Sequence, residues 1–296
     1  MGLPLTNRET NIQEEEQKFF TFLRKPYPYI PPESDFADNF DPDKILVISD
    51  PHSPFENWKV LNAAKKEQHD AGTLIVPGDV GDYYSKSRFK KTRVISFADE
   101  VRAVFELVEW MSTNWRDVRL MIGNHDNRPE KTIGALFEGN VDLLIMTEQN
   151  LLRRIASYFP NVQVVGTQLD SRDFILTHIY QFGDIIFTHG ELSRVQKTAV
   201  LEYISKYLFR WGQILDLKPY QIIAQAHNHT DMKTWMGSEG WFQLPTACDP
   251  YSPGMEYIFS SRMGGQPPVV GYSVFYQHDG VTDYNRSHNI KVGYTA

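Results

Sequence analysis

Hydrophobic and polar positions follow patterns that change several times along the chain, and each change predicts a new element of secondary structure. Four consecutive apolar residues at 45–48 predict a buried strand, and residues 73–76 predict a second one. Apolar side chains recur at helical spacing over residues 58–68 and again over residues 97–114. Short apolar runs that alternate with longer amphipathic segments favour a layered α/β fold.

The rest of the chain adds further strands to this pattern. Short apolar runs predict them at residues 118–122, 174–177, 184–188 and 222–224. From Trp241 to Phe275 the sequence is rich in aromatic and β-branched residues, which predicts strands rather than helices in the C-terminal part.

Two segments depart from this organisation. Residues 1–43 predict an N-terminal arm, with one helix over residues 9–24 followed by a proline-rich stretch that favours extended chain. Residues 44–296 are expected to form the main domain. Within it, residues 128–161 interrupt the strand–helix alternation and predict a helical cap insertion, with a helix over residues 151–158.

Composition and charge narrow the class of protein. Hydrophobic residues make up 41% of the chain, yet no apolar run approaches the roughly 20 residues of a membrane-spanning helix. The N-terminal sequence lacks the basic start and apolar stretch of a secretory signal, and the single cysteine, Cys248, indicates a reducing compartment. We therefore expect a cytoplasmic protein with no membrane association. A net charge of −7 argues against coating nucleic acid by bulk electrostatics, but it allows a local basic groove.

Potential metal ligands occur in short polar blocks that directly follow predicted strands. The blocks are Asp50-Pro51-His52, Gly78-Asp79, Gly123-Asn124-His125-Asp126, His189-Gly190 and His227-Asn228-His229. Because the carboxyl ends of strands in an open α/β sheet border one crevice, we expect these blocks to converge. Any one block has an ordinary structural explanation, whereas the whole ordered set favours a metal centre. Imidazole, carboxylate and amide oxygen suit Mn, Zn, Fe or Ni, and one cysteine excludes a thiolate zinc site.

The order of these blocks resembles the calcineurin-like metallophosphoesterase family over about residues 44–230. The resemblance implies a double β-sheet sandwich flanked by helices and a hydrolase in which a metal-bridging hydroxide attacks a phosphate ester. It also implies two divalent metal ions, with Mn as the leading expectation and Zn, Fe or Ni as alternatives. The implied ligands form two sets that share Asp79, namely Asp50, His52 and His229 for one ion, and Asn124, His189 and His227 for the other.

Two further residues are implied to act outside the metal ligands. His125 resembles the catalytic histidine of the family, which contacts the phosphate and protonates the leaving oxygen. Asp82 fits the carboxylate that orients this imidazole and raises its basicity.

Departures from the family pattern bear on the substrate. In protein serine/threonine phosphatases the GDxxD sequence, here Gly78 to Asp82, is followed by Gly and by an Arg that contacts phosphate, whereas this chain has Tyr83 and Tyr84. Their third block ends in Glu, and here it ends in Asp126. Both departures favour the branch that contains phosphodiesterases, nucleases and pyrophosphatases. Ala226 stands where the family usually has Gly, which a turn tolerates unless the residue needs a positive φ.

A basic run at residues 86–93 follows the second block and is either a solvated loop or a rim that captures a polyanionic substrate. Tyr83 or Phe89 is available there for base stacking, so nucleic acid or a nucleotide is a candidate substrate. The candidate substrate-binding residues are Asn124, Arg128, Tyr83, Arg88, Lys90 and Lys91.

Three functional hypotheses remain open. The leading one is a metal-dependent phosphodiesterase or nuclease, and the alternative is a phosphomonoesterase that acts on a phosphoprotein or a small molecule. The third is a non-catalytic scaffold on the same fold, against which the retained His125 argues. The chain contains no phosphate-binding GxxxxGK[ST] loop, no HExxH pair and no GxSxG elbow.

Overall fold

A computed structural model describes residues 32–87, 91–136, 150–168, 176–190, 197–259 and 267–293. Within these ranges the helices are α1 (Trp58–Gln68), α2 (Phe97–Asn114), α3 (Arg128–Leu136), α4 (Leu151–Ala156) and α5 (Lys197–Trp211), with short 3-10 helices at Tyr84–Lys86 and Glu256–Phe259. The strands are β1 (Asp41–Val47), β2 (Ala71–Val76), β3 (Val118–Met121), β4 (Val162–Val165), β5 (Thr167–Gln168), β6 (Leu176–Phe182), β7 (Ile185–Gly190), β8 (Ile222–Gln225), β9 (Met232–Met236), β10 (Glu239–Gln243), β11 (Gly271–His278), β12 (Val281–Thr282) and β13 (His288–Lys291).

These strands form two β-sheets. The first has the order β12-β11-β1-β2-β3-β4, with β13 also paired to β11, and the second has the order β5-β6-β7-β8-β10-β9. The strands β1 to β4 pair in parallel, and so do β7, β8 and β10. In each sheet the carboxyl ends of these parallel strands therefore lie along one edge.

The two sheets pack face to face around a shared apolar core. Ile45 and Val47 of β1 meet Phe187 of β7 and Phe242 of β10 in this core. Leu46, between them in the sequence, points to the opposite face, because side chains alternate along a strand. Helices cover that outer face, so β1 is buried on both sides and its sequence is apolar without interruption.

Helices complete the outer layers of the sandwich. On the first sheet α1, α2 and α4 share one hydrophobic cluster with the strands, and on the second sheet α5 packs through Val200, Leu201, Ile204 and Leu208. The predicted double sandwich flanked by helices is thus confirmed. Helix α5 was not predicted, although the spacing of its buried residues is helical.

Among the described residues, no helix combines the length and apolarity needed to cross a bilayer.

Only part of the predicted arm and cap falls within the described residues. Asp35 donates its backbone N–H to the Thr113 carbonyl at 2.7 Å, and the Arg116 guanidinium lies 5.1 Å from the centre of the Phe40 ring. The described end of the arm therefore packs against the end of α2. The predicted helix at 9–24 lies outside the described residues, as do residues 137–149 of the predicted cap.

Candidate metal centre

The polar blocks that follow the strands meet at one place. Three blocks extend from β1, β2 and β3 of the first sheet, and two belong to the ends of β7 and β8 of the second. Their side chains form clusters in which ligand atoms lie within 4.8 Å of one another, namely Asp50, His52 and His229; His52, Asp82 and His125; and Asp79, His189 and His227. The crevice predicted at the strand ends therefore brings together the residues that sequence spacing singled out.

Left-handed backbone is concentrated in these same blocks. Positive φ angles near 50° occur at Asp50, His52, Asp79 and His229, and His227 has a φ of 75°. A non-glycine residue in this region is uncommon and costs on the order of 1–3 kcal/mol. The tight turns at the strand ends impose these angles and point the side chains toward a common centre.

The first ligand set is built around two facing imidazoles. The Nε2 atoms of His52 and His229 are 3.2 Å apart, and Asp50 Oδ1 lies 3.6 Å from His229 Nε2. Nitrogens that bind one cation at about 2.1 Å lie roughly 3 Å from each other. The spacing therefore fits ligation of one cation by these three side chains.

The second set surrounds the Nε2 atom of His189. This atom is 3.0 Å from Asn124 Oδ1 and 3.2 Å from Asp79 Oδ2. His227 completes the set, and its Nδ1 is buried without a hydrogen-bond partner in the described structure. His52 Nε2 is 3.7 Å from the same Oδ2 of Asp79, so this carboxylate lies between the two sets.

Buried carboxylates give the centre a negative charge. Burial opposes ionisation of Asp50 and Asp79, yet neighbouring histidines, His229 for Asp50 and His189 for Asp79, lower the pKa of both carboxyl groups. In the other direction, burial opposes charging of His189, but the Asp79 carboxylate raises its pKa to about 9. Carboxylates that stay ionised inside a protein require positive charge nearby, which the neighbouring histidines supply in the metal-free protein and bound cations would supply in their place. Together with the unpartnered His227 nitrogen, they make the donor set suitable for divalent cations.

A carboxylate–histidine pair lies beside the ligand sets. His125 Nδ1 donates to Asp82 Oδ2 at 2.9 Å, and Arg128 donates to Asp82 Oδ1 at 2.9 Å. A second guanidinium nitrogen of Arg128 lies 2.9 Å from His125 Nε2, so this ring nitrogen is the acceptor. Burial and the charge of Arg128 lower the pKa of His125 to about 4. Asp82 also contacts His52 Nδ1 at 3.1 Å and thereby links the pair to the first ligand set.

Tyr257 joins this network and was not predicted from the sequence. Its hydroxyl donates to Asp82 Oδ2 at 3.2 Å, and its ring centre is 5.8 Å from that of His125. The residue belongs to the short 3-10 helix Glu256–Phe259, far from the motif blocks in the sequence. The aromatic richness of the C-terminal part was the only signal that pointed to this region.

The candidate substrate-binding residues differ in how far they are exposed to solvent. Tyr83 is fully buried, and its ring packs 6.1 Å from that of Phe97, so the expected base stacking on Tyr83 is wrong. Its left-handed backbone turns the side chain into the core under α2. Lys91 is exposed and donates to the Ser85 carbonyl. The candidates Arg88 and Lys90 lie outside the described residues, as does Phe89.

Close packing explains the small residues of the motif blocks. A Cβ atom on Gly123 would lie 2.1 Å from Asp79 Oδ1, and one on Gly78 would lie 2.4 Å from His189 Nδ1. Both glycines thus let a ligand side chain approach the backbone. Ala226, by contrast, lies in the core between the sheets and does not adopt a positive φ, so its methyl group is accommodated.

Asp126 has a structural role in the third block. Its carboxylate accepts hydrogen bonds from the backbone N–H groups of Val80, Gly81 and Gly123, at 3.2, 2.9 and 2.8 Å. These bonds hold the loop after Asp79 against the loop that contains Asn124. The carboxylate therefore fixes the relative positions of the two loops that carry ligands.

Replacing this carboxylate tests that role. We expect Asp126→Ala to lower the free energy of unfolding by about 3 kcal/mol, because buried N–H groups lose their acceptor. Chemical denaturation of the metal-free protein measures the change. Asp38→Ala, at an exposed position, is the matched control and is expected to stay within about 0.5 kcal/mol of the parent protein. Equal stability of the two variants would contradict the structural role.

A family model described as calcineurin-like phosphoesterase matches residues 43–261. No curated protein matches the chain. Among solved structures, an archaeal phosphodiesterase is 13% identical, with 84% of this chain and 99% of that chain covered and a TM-score of 0.38.

Two other solved structures have comparable similarity. A metallophosphoesterase from Sphaerobacter thermophilus is 13% identical and has a TM-score of 0.43. The alignment covers 86% of this chain and 89% of that protein's chain. Vacuolar Protein Sorting 29 from Cryptosporidium parvum is 16% identical, covers 85% and 98%, and has a TM-score of 0.36. Similarity at this level assigns no activity to the chain.

Proposed function

The chain belongs to the calcineurin-like phosphoesterase family, and we propose that it hydrolyses phosphodiesters with the help of two divalent cations. The observation that carries the proposal is the position of Asp79 between two ligand sets, with Oδ2 at 3.2 Å from His189 Nε2 and 3.7 Å from His52 Nε2. One carboxylate in contact with both sets supports a dinuclear centre rather than two separate sites.

Each ligand set is proposed to hold one of the two cations. In this proposal Asp50, His52 and His229 bind one cation, and the other is bound by Asn124, His189 and His227, with Asp79 shared. Two bound cations would lower the pKa of a water molecule and neutralise charge on the phosphoryl oxygens. Orientation of the ligands comes from the protein, since Asp82 holds His52 and the Pro77 carbonyl holds His189 Nδ1 at 2.8 Å.

His125 supplies the proton for the leaving group in this mechanism. Asp82 fixes its Nδ1–H, so Nε2 is the nitrogen that faces the reacting groups. In the substrate-free arrangement Arg128 donates to that Nε2. A bound phosphate group offers Arg128 a stronger acceptor, and Nε2 of His125, freed from that donor, then takes up a proton from water and passes it to the departing oxygen.

The charge of the site favours a diester over a monoester. A monoester dianion carries more negative charge than a diester and needs more cationic contacts. At the position where protein phosphatases have a phosphate-binding arginine, this chain has the buried Tyr83. Arg128 remains as the guanidinium beside His125, and its one positive charge matches the one negative charge of a diester.

A substrate panel tests the proposal. Protein supplied with Mn is expected to hydrolyse bis-p-nitrophenyl phosphate at least about tenfold faster than p-nitrophenyl phosphate, and single- and double-stranded DNA extend the panel to nucleic acid. Parallel reactions with Zn, Fe and Ni test the preference for manganese. Good turnover of the monoester with none of the diesters would reject the diesterase. Protein that binds no metal and turns over no substrate would support the scaffold hypothesis instead.

A further inference from the structure

The segment at residues 249–259 is fixed to the loops that form the metal centre. Met255 and Ile258 pack with Phe55 and Tyr84 in a separate small hydrophobic cluster. Phe55 follows the ligand His52 in the sequence, and Tyr84 follows Asp82. The segment therefore bridges two of the loops that carry site residues.

Hydrogen bonds hold the same segment in a defined conformation. Asp249 donates its backbone N–H to the Phe55 carbonyl at 2.7 Å. The Glu256 carboxylate accepts from the Gly254 N–H at 3.0 Å and from the Thr92 hydroxyl at 3.1 Å. The backbone of this segment is thus held in place before any substrate binds, which lowers the entropic cost of using it for binding.

Tyr257 shows which side of the centre the segment borders. Its ring lies 5.8 Å from that of His125, the residue proposed to protonate the leaving oxygen. Its hydroxyl also donates to Asp82 Oδ2 at 3.2 Å, the carboxylate that holds His125. The segment consequently borders the His125 side of the metal centre.

An exposed aromatic pair lies next to Tyr257. Phe259 is two residues further along, so its Cα is within about 7 Å of the Tyr257 Cα. Its ring packs against Tyr251 with centres 5.4 Å apart and a tilt of 36°. Tyr251 is 67% exposed and Phe259 is 45% exposed, which leaves aromatic surface open to solvent. Such surfaces bind planar rings by stacking.

We propose that Tyr251 and Phe259 form a subsite for a flat aromatic leaving group of a small phosphate ester. The inference rests on the proposed function and narrows its substrate class. In the reaction water adds to phosphorus, the P–O bond to the aryl group breaks, and the aryl oxygen leaves with a proton.

A matched pair of substrates separates the effect of ring stacking on kcat/KM from the effect of leaving-group acidity. Methyl phenyl phosphate and methyl 2-naphthyl phosphate release phenols of similar acidity, but the naphthyl group has the larger flat surface. We expect the parent protein to prefer the naphthyl ester in kcat/KM by about tenfold, in line with stacking on an aromatic side chain. The Tyr251→Ala/Phe259→Ala double variant is expected to lose most of this preference.

The controls separate this inference from the proposed function. Phe209→Ala removes an aromatic ring that is 90% exposed on α5, and it is expected to leave the naphthyl-to-phenyl ratio unchanged. Phenyl phosphate and 2-naphthyl phosphate repeat the comparison with monoesters. An unchanged ratio in the double variant, with a melting temperature like that of the parent, overturns the subsite. Absence of turnover on every ester in the parent protein overturns the proposed function itself.

Discussion

Asp79→Asn is expected to abolish most phosphoester hydrolysis and to leave the protein unable to retain two cations. The carboxylate lies between the ligand sets, with Oδ2 at 3.2 Å from His189 Nε2 and 3.7 Å from His52 Nε2. A neutral amide removes one negative charge from the shared position, which weakens both sites. We expect kcat/KM to fall at least about 10³-fold, equivalent to about 4 kcal/mol of transition-state stabilisation. Elemental analysis of dialysed protein would report fewer than two cations per chain.

The same variant should keep its fold. Asp79 Oδ1 accepts the His125 backbone N–H at 2.8 Å, and the amide oxygen of Asn can take over this bond. Metal-free parent and variant proteins should therefore unfold at similar temperatures, whereas added Mn should stabilise the parent more. Asp38→Asn, at an exposed position, is the control for the loss of one carboxylate. A variant that still holds two cations and keeps its activity would refute the bridging role of Asp79.

His125→Ala is expected to lower kcat by about 10²- to 10⁴-fold while the metal content stays unchanged. The imidazole is held by Asp82 beside the ligand sets and is absent from the two sets that we assign to the cations. Its loss removes the proton donor for the leaving oxygen. The defect should be larger for an alkyl leaving group than for p-nitrophenolate, because the latter departs readily without protonation. Steady-state rates with both kinds of ester measure the difference.

Controls for this variant address folding and metal binding. His288→Ala replaces an exposed histidine on β13 and is expected to retain full activity. Metal content and the melting temperature should match those of the parent in both variants. Equal losses with alkyl and p-nitrophenyl esters would argue that His125 acts by another route than proton donation.

The ligand blocks could be predicted because they depend on local sequence. Asp50 and His52 directly follow β1, Asp79 follows β2, and a parallel sheet places the ends of such strands side by side. The sandwich also follows from local pattern, since residues 45–48 are uninterrupted apolar sequence and β1 is covered on both faces. The fold and the convergence of the candidate ligands could therefore be predicted from short windows of the chain.

Other parts of the site depend on contacts between distant residues. Tyr257 reaches Asp82 across a sequence separation of 175 residues, and no spacing rule connects them. Tyr83 directly follows Asp82 and suggested a substrate contact, but its left-handed backbone turns it into the core. Asp126 looked like a marker of substrate class, and its carboxylate proves to bind backbone N–H groups. Side-chain direction and long-range partners decided these roles.

The left-handed backbone at the metal centre limits which amino acids can be exchanged there during evolution. Asn, Asp and His enter this conformation more readily than other side chains, and glycine enters it freely. Asp50, His52, Asp79 and His229 combine this geometry with a side chain that we propose to bind metal. Two selective pressures, for chain conformation and for ligation, thus restrict the same positions to nearly the same residues. A descendant that no longer needed metal would therefore be expected to drift toward Asn and Gly at these positions.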